Sequence, residues 1–270
     1  MTAPDRIRLV CTDLDGTLLN SAGAVGPVTR SALAKAAACA VPVVCVTGRP
    51  LRDALAVARA LGSKGLVVCS NGAVIAEVKS GRVRACHGFS TAQGSVVLKQ
   101  LRARLPGVVL GVDTLRGLFL EPDFGALVPD CWPHRVVPDA VDELAPDDRL
   151  VKILVVHPAV PASALTDLLI EPDDGVRGTC STPYFLEVSP DGVDKGASLR
   201  WLAGFHRVRV TATAAVGDMP NDLPMLRAAG LAAAVANAHR DVRQAADLIL
   251  PSNEDDGVAD LISMVCCEEA

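Results

Sequence analysis

Three apolar runs near the start of the chain, Ile7 to Cys11, Val41 to Val46 and Gly65 to Cys69, each stop abruptly at small polar residues. Between them lie stretches of helical character, Thr29 to Ala40 and Leu51 to Leu61, the second closed by Gly62. Continuously apolar runs of this length, alternating with helices, describe strands covered on both faces, and that is the signature of a parallel, doubly wound α/β sheet. In such sheets ligands bind outside the carboxyl ends of the strands. The polar residues that end each run are therefore expected along one edge.

The first of these ends is the most demanding chemically. VCTDLDGTLLN, Val10 to Asn20, sets Asp13 and Asp15 one residue apart at the end of a buried strand, followed by a glycine turn. Two carboxylates so placed repel each other and lose hydration, so they call for a cation or a shared proton. A divalent metal would meet that need. Solvated turn residues are the plainer alternative, since Asp-Gly pairs are common in loops. A calcium loop is excluded, because Thr17 to Ala24 contain no further acid.

Composition narrows the classes. A hydrophobic content of 50% in 270 residues can bury a sizeable core, and with only 3% aromatic residues that core must be built from Ala, Val and Leu. There is no run of eighteen apolar residues to cross a membrane and no apolar leader ahead of the first strand, so a cytoplasmic enzyme is expected. The net charge of −5 argues against nucleic acid or an anionic membrane as the main partner. The 9 cysteines are odd in number; Cys11, Cys45 and Cys69 fall inside strand-like runs, and Cys266 and Cys267 have no histidine nearby, so free thiols are expected and zinc is not.

From Ala73 the pattern changes. Val74 to Val78 and Arg82 to Ala85 read as a hairpin, and 86–189 reads as an inserted α+β domain. Its expected elements are a helix from Ala92 to Leu105 and strands at Gly107–Val112, Leu118–Leu120, Val151–Val156 and Tyr184–Val188, with prolines at 122, 129, 133, 138 and 146. His134 and His157 read as surface or packed histidines. The strand–helix rhythm resumes at Lys195: a helix over Gly196–Phe205, a strand over Val208–Val216, the loop GDMPND, a helix over Leu223–Ala229, and strands at Leu231–Val235 and Asp247–Leu250. A terminal helix is expected over Asn253–Ile262. The core thus comprises 1–85 and 190–270.

Four loops carry polar groups to the shared edge: Asp13 with Asp15; Thr47, Gly48 and Arg49; Lys195; and Asp218, Asn221 and Asp222. Singly, Thr47 and Asp222 read as helix caps. Lys195 stands at the start of a helix, where the macrodipole already supplies positive potential and the lysine wants an anion; Asp191 or Asp194 could serve. Together the loops are harder to explain as capping. The pieces DLDGTLL, VTGRP, SNGA, LEVSPDGVDKG, GDMPNDLPML, ANA and NEDDGVAD resemble, in order and spacing, the motifs of haloacid dehalogenase superfamily phosphatases of the Cof type. The insertion sits where that family carries its type-IIB cap. Ala236 departs from the glycine of many relatives.

The resemblance implies a Rossmann-like core with an inserted cap that closes over the site and contacts the leaving group. Asp13 would be the nucleophile, forming an aspartyl-phosphate, with Asp15 protonating the leaving oxygen and then activating water. Mg²⁺ would be held by Asp13, the Asp15 carbonyl and Asp218, with Asp222 in support. Thr47, the Gly48 amide, Asn221 and Lys195 would hold phosphoryl oxygens, and Arg49 and Asn71 would help to bind substrate. The implied substrate is a small phosphorylated metabolite, a sugar phosphate or nucleotide-like cofactor, and the protein a monomer or homodimer. A sugar phosphomutase of the same fold, or a metabolite-binding regulator without turnover, are the alternatives. A nicotinamide-dependent dehydrogenase is disfavoured, since no G-x-G-x-x-G follows a strand.

Overall fold

The computed structural model describes residues 5–128, 133–180 and 182–267, with the Cys267 side chain left out; Pro129 and Cys131 lie outside the described residues. Two compact units emerge, one of 1–83 with 194–270 and one of 84–193.

The first unit opens with β1 (Leu9–Thr12), α1 (Pro27–Ala38), β2 (Val43–Val46), α2 (Leu51–Ala60) and β3 (Leu66–Cys69), then turns back through β4 (Val74–Glu77) toward β5 (Val83–Cys86). All four residues of β1 and of β3 are buried, as strands covered on both faces require. Helix α1 begins with proline, whose missing N–H costs nothing at a first turn. Its amides at Val28 and Thr29 donate to the Asp256 carboxylate, so the cap comes from the far end of the chain.

The second unit holds β6 (Phe89–Ser90), α3 (Thr91–Arg104), β7 (Val109–Thr114), β8 (Gly117–Leu120), α4 (Phe124–Leu127), β9 (Arg135–Val136), β10 (Arg149–Val156), α5 (Ala162–Leu169), β11 (Val176–Thr179) and β12 (Leu186–Pro190). Its sheet runs β11-β12-β10-β7-β8-β9, with β6 beside β10, and is antiparallel except where β8 meets β9. Ser90 and Gln93 form a reciprocal capping box at the start of α3. Leu98 and Leu101 of α3 and Leu165 and Leu169 of α5 pack on the sheet face that carries Leu110, Val112, Ile153 and Val155.

The chain then returns to the first unit with α6 (Lys195–Phe205), β13 (Thr213–Gly217), α7 (Leu223–Ala228), β14 (Leu231–Val235), α8 (Arg240–Ala245), β15 (Leu248–Leu250) and α9 (Gly257–Cys267). The core sheet has the order β15-β14-β13-β1-β2-β3-β4-β5. Pairing is parallel from β15 to β3, and β4 is antiparallel to β3. The chain leaves β1 toward β2 and β3, then resumes at β13 on its other side. The reversal of winding at β1 creates the crevice where such sheets bind ligands.

Several expected elements shift. Val208–Val216 is not one strand: the Arg209 carbonyl accepts from the Ala212 amide and Thr213 donates its hydroxyl to the Val210 carbonyl, closing a 3₁₀ turn before β13 begins. The terminal helix starts at Gly257 rather than Asn253, because Asp256 is left-handed and the Gly257 amide turns back to the Ser252 carbonyl. The last strand of the second unit runs to Pro190 and begins at Leu186, not Tyr184. Elements α4, α5, α8, β6, β9 and β11 carry no expectation from sequence. His157 accepts from the Ala159 amide in a local turn. Cys11, Cys45 and Cys69 are buried and in no disulfide, and burial pushes Cys11 and Cys45 up to about 12. Among the described residues no helix is long and apolar enough to cross a membrane.

Candidate functional site

Strand order decides which loops are neighbours. Asp218 follows β13, Asp13 follows β1, Thr47 follows β2 and Asn71 follows β3, so the ladder β13-β1-β2-β3 lines them up at one edge. Asp13 and Asp218, far apart in sequence, hang from adjacent strands.

The two carboxylates of the first turn diverge. Asp13 is 6% exposed, and its amide donates to the Val216 carbonyl of β13. Asp15 has a side chain 55% exposed and is gripped by both arms of the Arg49 guanidinium, at 2.7 Å from Nε and 2.5 Å from Nη2. A planar fork on a carboxylate is a strong, directional contact. Gly16, with φ +76°, turns the chain just after Asp15, and a Cβ there would lie 2.5 Å from Asp218 Oδ2. Only glycine lets the first loop approach the Asp218 carboxylate so closely.

Lys195 is 1% exposed, and its ammonium donates to Asp13 Oδ1 and to Asp222 Oδ1, each at 2.6 Å. Neither Asp191 nor Asp194 is its partner in these contacts; Asp194 instead caps α6 through the Ala197 amide. Asp222 is fully buried, and its Oδ2 accepts from the Asp218 and Met219 amides at 3.0 Å. It thus braces the loop behind Asp218 and makes no side-chain cap to α7. Thr17 donates to Asp218 Oδ1 at 2.7 Å.

One ammonium therefore faces three buried carboxylates, Asp13, Asp218 and Asp222, whose ligand atoms lie within 4.8 Å of one another. The electrostatics follow from that imbalance. Burial raises the Asp13 carboxyl well above its ordinary value; Lys195 opposes this, while Asp222 and Asp218 add to it. Burial also pushes Asp218 up to about 6, against the Thr17 hydrogen bond and with the Asp222 charge. For Lys195, burial favours loss of the proton, but the Asp13 and Asp222 charges more than offset it and raise its pKa. A cluster of hard oxygen donors with excess negative charge fits a hard divalent cation.

The remaining expected residues border this cluster. Thr47 is buried, and its hydroxyl oxygen accepts from the Arg49 amide, which leaves its own proton to donate; α2 begins without a side-chain cap. Asn71 is left-handed at φ +55°, a conformation asparagine tolerates, and its Oδ1 accepts from Asn221 Nδ2 at 3.1 Å. Asn221 Oδ1 is buried without a hydrogen-bond partner among the described residues. Gly48 packs against Asn71, where a Cβ would come within 3.0 Å of Asn71 Oδ1. Arg49, expected at the substrate, engages Asp15.

Asn237 and Asn253 received no role from sequence reasoning, although both stand in the quoted pieces. Asn237 donates to the Gly16 carbonyl and accepts from the Asn253 amide, while Asn253 donates to the Leu19 carbonyl. They stitch the first loop to the end of the chain. Thr17 was likewise visible as the threonine of DLDGT.

With this edge defined, the sequence over residues 10–262 matches the haloacid dehalogenase-like hydrolases. The chain belongs to that family. It is an enzyme, a phosphatase of the haloacid dehalogenase type, and the Cof-type resemblance of its motifs agrees. It is 27% identical over 256 residues to a phosphoglycolate phosphatase of Methanothermobacter thermautotrophicus, covering 95% of this chain and 97% of that protein. A haloacid dehalogenase-like hydrolase from B. subtilis is similar in structure, with TM-score 0.83 and 25% identity over 95% of this chain and 99% of that one. The fold also matches the subclass IIB sugar phosphatase BT4131, with TM-score 0.78 and 18% identity over 95% of this chain and 98% of that one. The chain spans only 45% of the chloroplastic endoribonuclease YBEY of Arabidopsis thaliana, to which it is 27% identical over 93% of its own length.

Proposed function

We propose that this haloacid dehalogenase-type enzyme is a Mg²⁺-dependent phosphomonoesterase that hydrolyses a small phosphorylated metabolite through an aspartyl-phosphate. The observation that carries the reading is the convergence of Asp13, Asp218 and Asp222, with the buried Lys195 ammonium bonded to Asp13 and Asp222. Asp13, the Asp15 carbonyl and Asp218 would hold the metal, with Asp222 in support. The bound cation would neutralise charge on the phosphoryl oxygens and on Asp13.

The protein's own groups supply the rest. The free oxygen of Asp13 attacks phosphorus as the ester oxygen leaves, and Asp15 gives that oxygen its proton. Asp15, now a carboxylate, takes a proton from water as the water attacks the aspartyl-phosphate, releasing inorganic phosphate and restoring Asp13. Lys195 holds Asp13 in line and neutralises the transferring group, with Thr47, the Gly48 amide and Asn221 as further donors. Arg49 fixes Asp15 in the free protein and, with Asn71, borders the substrate. The unit of 84–193 is proposed as the cap that selects the leaving group.

The test is phosphate release across a panel of sugar phosphates, nucleotides and phosphorylated cofactors, with Mg²⁺ and with EDTA. EDTA-sensitive release from at least one class supports the proposal. No release from any, with or without the metal, overturns it.

A further inference from the structure

A pair of cavities lies in the core unit, at the amino ends of β2 and β3 and so opposite the carboxyl-end loops that build the catalytic edge. One has a volume of about 540 Å³ and lies between α1 and the segment that follows α2. The other, of about 520 Å³, shares Ala40, Val41, Pro42 and His206 with it. Volumes of this size accommodate small organic ligands.

Three features say what such a ligand would be. Leu18, Leu33, Leu61 and Leu66 make the walls of the larger cavity apolar. The charged residues lining the pair are Arg6, Arg8, Arg30 and Lys64, and among the described residues no acid lines either cavity, although the protein as a whole carries a net charge of −5. His206 lines both, and its Nε2 is shielded from solvent with no hydrogen-bond partner among the described residues. The ring is held edge-on by Phe205 at 5.2 Å, and burial keeps its pKa below the ordinary value, hence the imidazole neutral at pH 7. An imidazole that stays neutral brings no opposing charge to this apolar, locally cationic lining.

We propose that these cavities form a second ligand site for an amphipathic organic anion, with an apolar body in the larger cavity and an anionic head drawn to the cations that line it, Arg30 and Lys64. The walls also include Leu18 and Cys45.

The test uses 1-anilinonaphthalene-8-sulfonate, whose fluorescence rises on entering an apolar site, as the probe on the intact protein. Saturable binding at one equivalent is expected, displaced by decanoate but not by decyltrimethylammonium, and insensitive to inorganic phosphate with Mg²⁺. Ala37→Trp, which fills the mouth of the larger cavity, and the surface pair Arg30→Glu with Lys64→Glu should each weaken binding at least tenfold with Tm unchanged. His206→Ala should weaken it several-fold. Displacement by phosphate with Mg²⁺, equal displacement by the cationic amphiphile, or binding unaffected by both the filling and the charge-reversal variants would overturn the proposal. The phosphate arm separates this site from the catalytic edge whatever the fate of the phosphatase reading.

Discussion

The two units place their buried charges differently. In the core, the strands LVCT, VVCV and LVVC carry no charge, and the charged groups stand where the strands end. In the second unit charges stand inside strands: Lys152 in β10 pairs with Glu187 in β12, each 1% exposed, and Asp113 of β7 lies directly across the ladder from Lys152. Charges within a ladder meet partners at fixed strand spacing, so their positions report architecture and register. Charges at strand ends are brought together by loops, free of that spacing, and several of one sign can converge on one cation. The first arrangement stabilises a fold; the second leaves an electrostatic demand that a ligand can meet.

The largest test of this contrast is Asp13→Asn. It should lower turnover by at least about a thousandfold, because the attacking oxygen is lost, while the folded state survives with one fewer buried carboxylate near Asp218 and Asp222. Steady-state phosphate release and a thermal melt check both halves; most of the wild-type rate remaining would reject Asp13 as nucleophile. In the second unit, Lys152→Met should cost about 3–5 kcal/mol by leaving Glu187 buried without its cation, and adding Glu187→Met should recover most of that. Urea denaturation measures it. The matching change in the core, Lys195→Met, should be partly rescued by Mg²⁺ and Lys152→Met should not. Equal responses to Mg²⁺ would erase the distinction between the two sites.

A smaller effect is expected from the metal itself, about 2.7 kcal/mol of stabilisation at a hundredfold excess over Kd, lost in Asp218→Asn. Its pH dependence has a definite sign. Asp218 is held at about 6 in the folded, metal-free protein, above its value in the unfolded chain, so the proton favours the folded state. In EDTA, stability should rise as pH falls through about 6 toward the ordinary carboxylate range, and fall as pH rises. With Mg²⁺ the protons compete with the metal, so the Mg²⁺ increment should shrink over the same interval. Melts at pH 5 and pH 7.5 with and without the metal decide it; an increment independent of pH would count against these carboxylates as ligands. The smallest effect is Asp256→Asn, which weakens the cap that α1 receives from Asp256 and should cost about 1 kcal/mol with turnover little changed.

The core was legible because each of its strands is one uninterrupted apolar run with a polar stop, a signal that needs no partner to be read. Leu66–Cys69 and Leu231–Val235 fall within or on the expected limits for that reason. The second unit was read less completely. Its α5 and β11 lie in a stretch of prolines, glycines and mixed polarity, where packing against the sheet, not local pattern, selects the conformation. In the site, residue types were legible and pairings were not. Lys195 wanted an anion, and the sequence offered its neighbours Asp191 and Asp194, whereas its partners are the distant Asp13 and Asp222. Arg49 was expected at a substrate, and its grip on Asp15 was not visible in the sequence.

By itself the amino-acid sequence determined the class of sheet, the edge at which polar groups gather and the kinds of group available there, since these follow from local runs and their stops. Tertiary structure alone decided which carboxylate meets which cation. The physical reason is strand order: Asp13 and Asp218 become neighbours because β1 pairs with β13, and Coulomb energies and burial respond to distances in space, not along the chain.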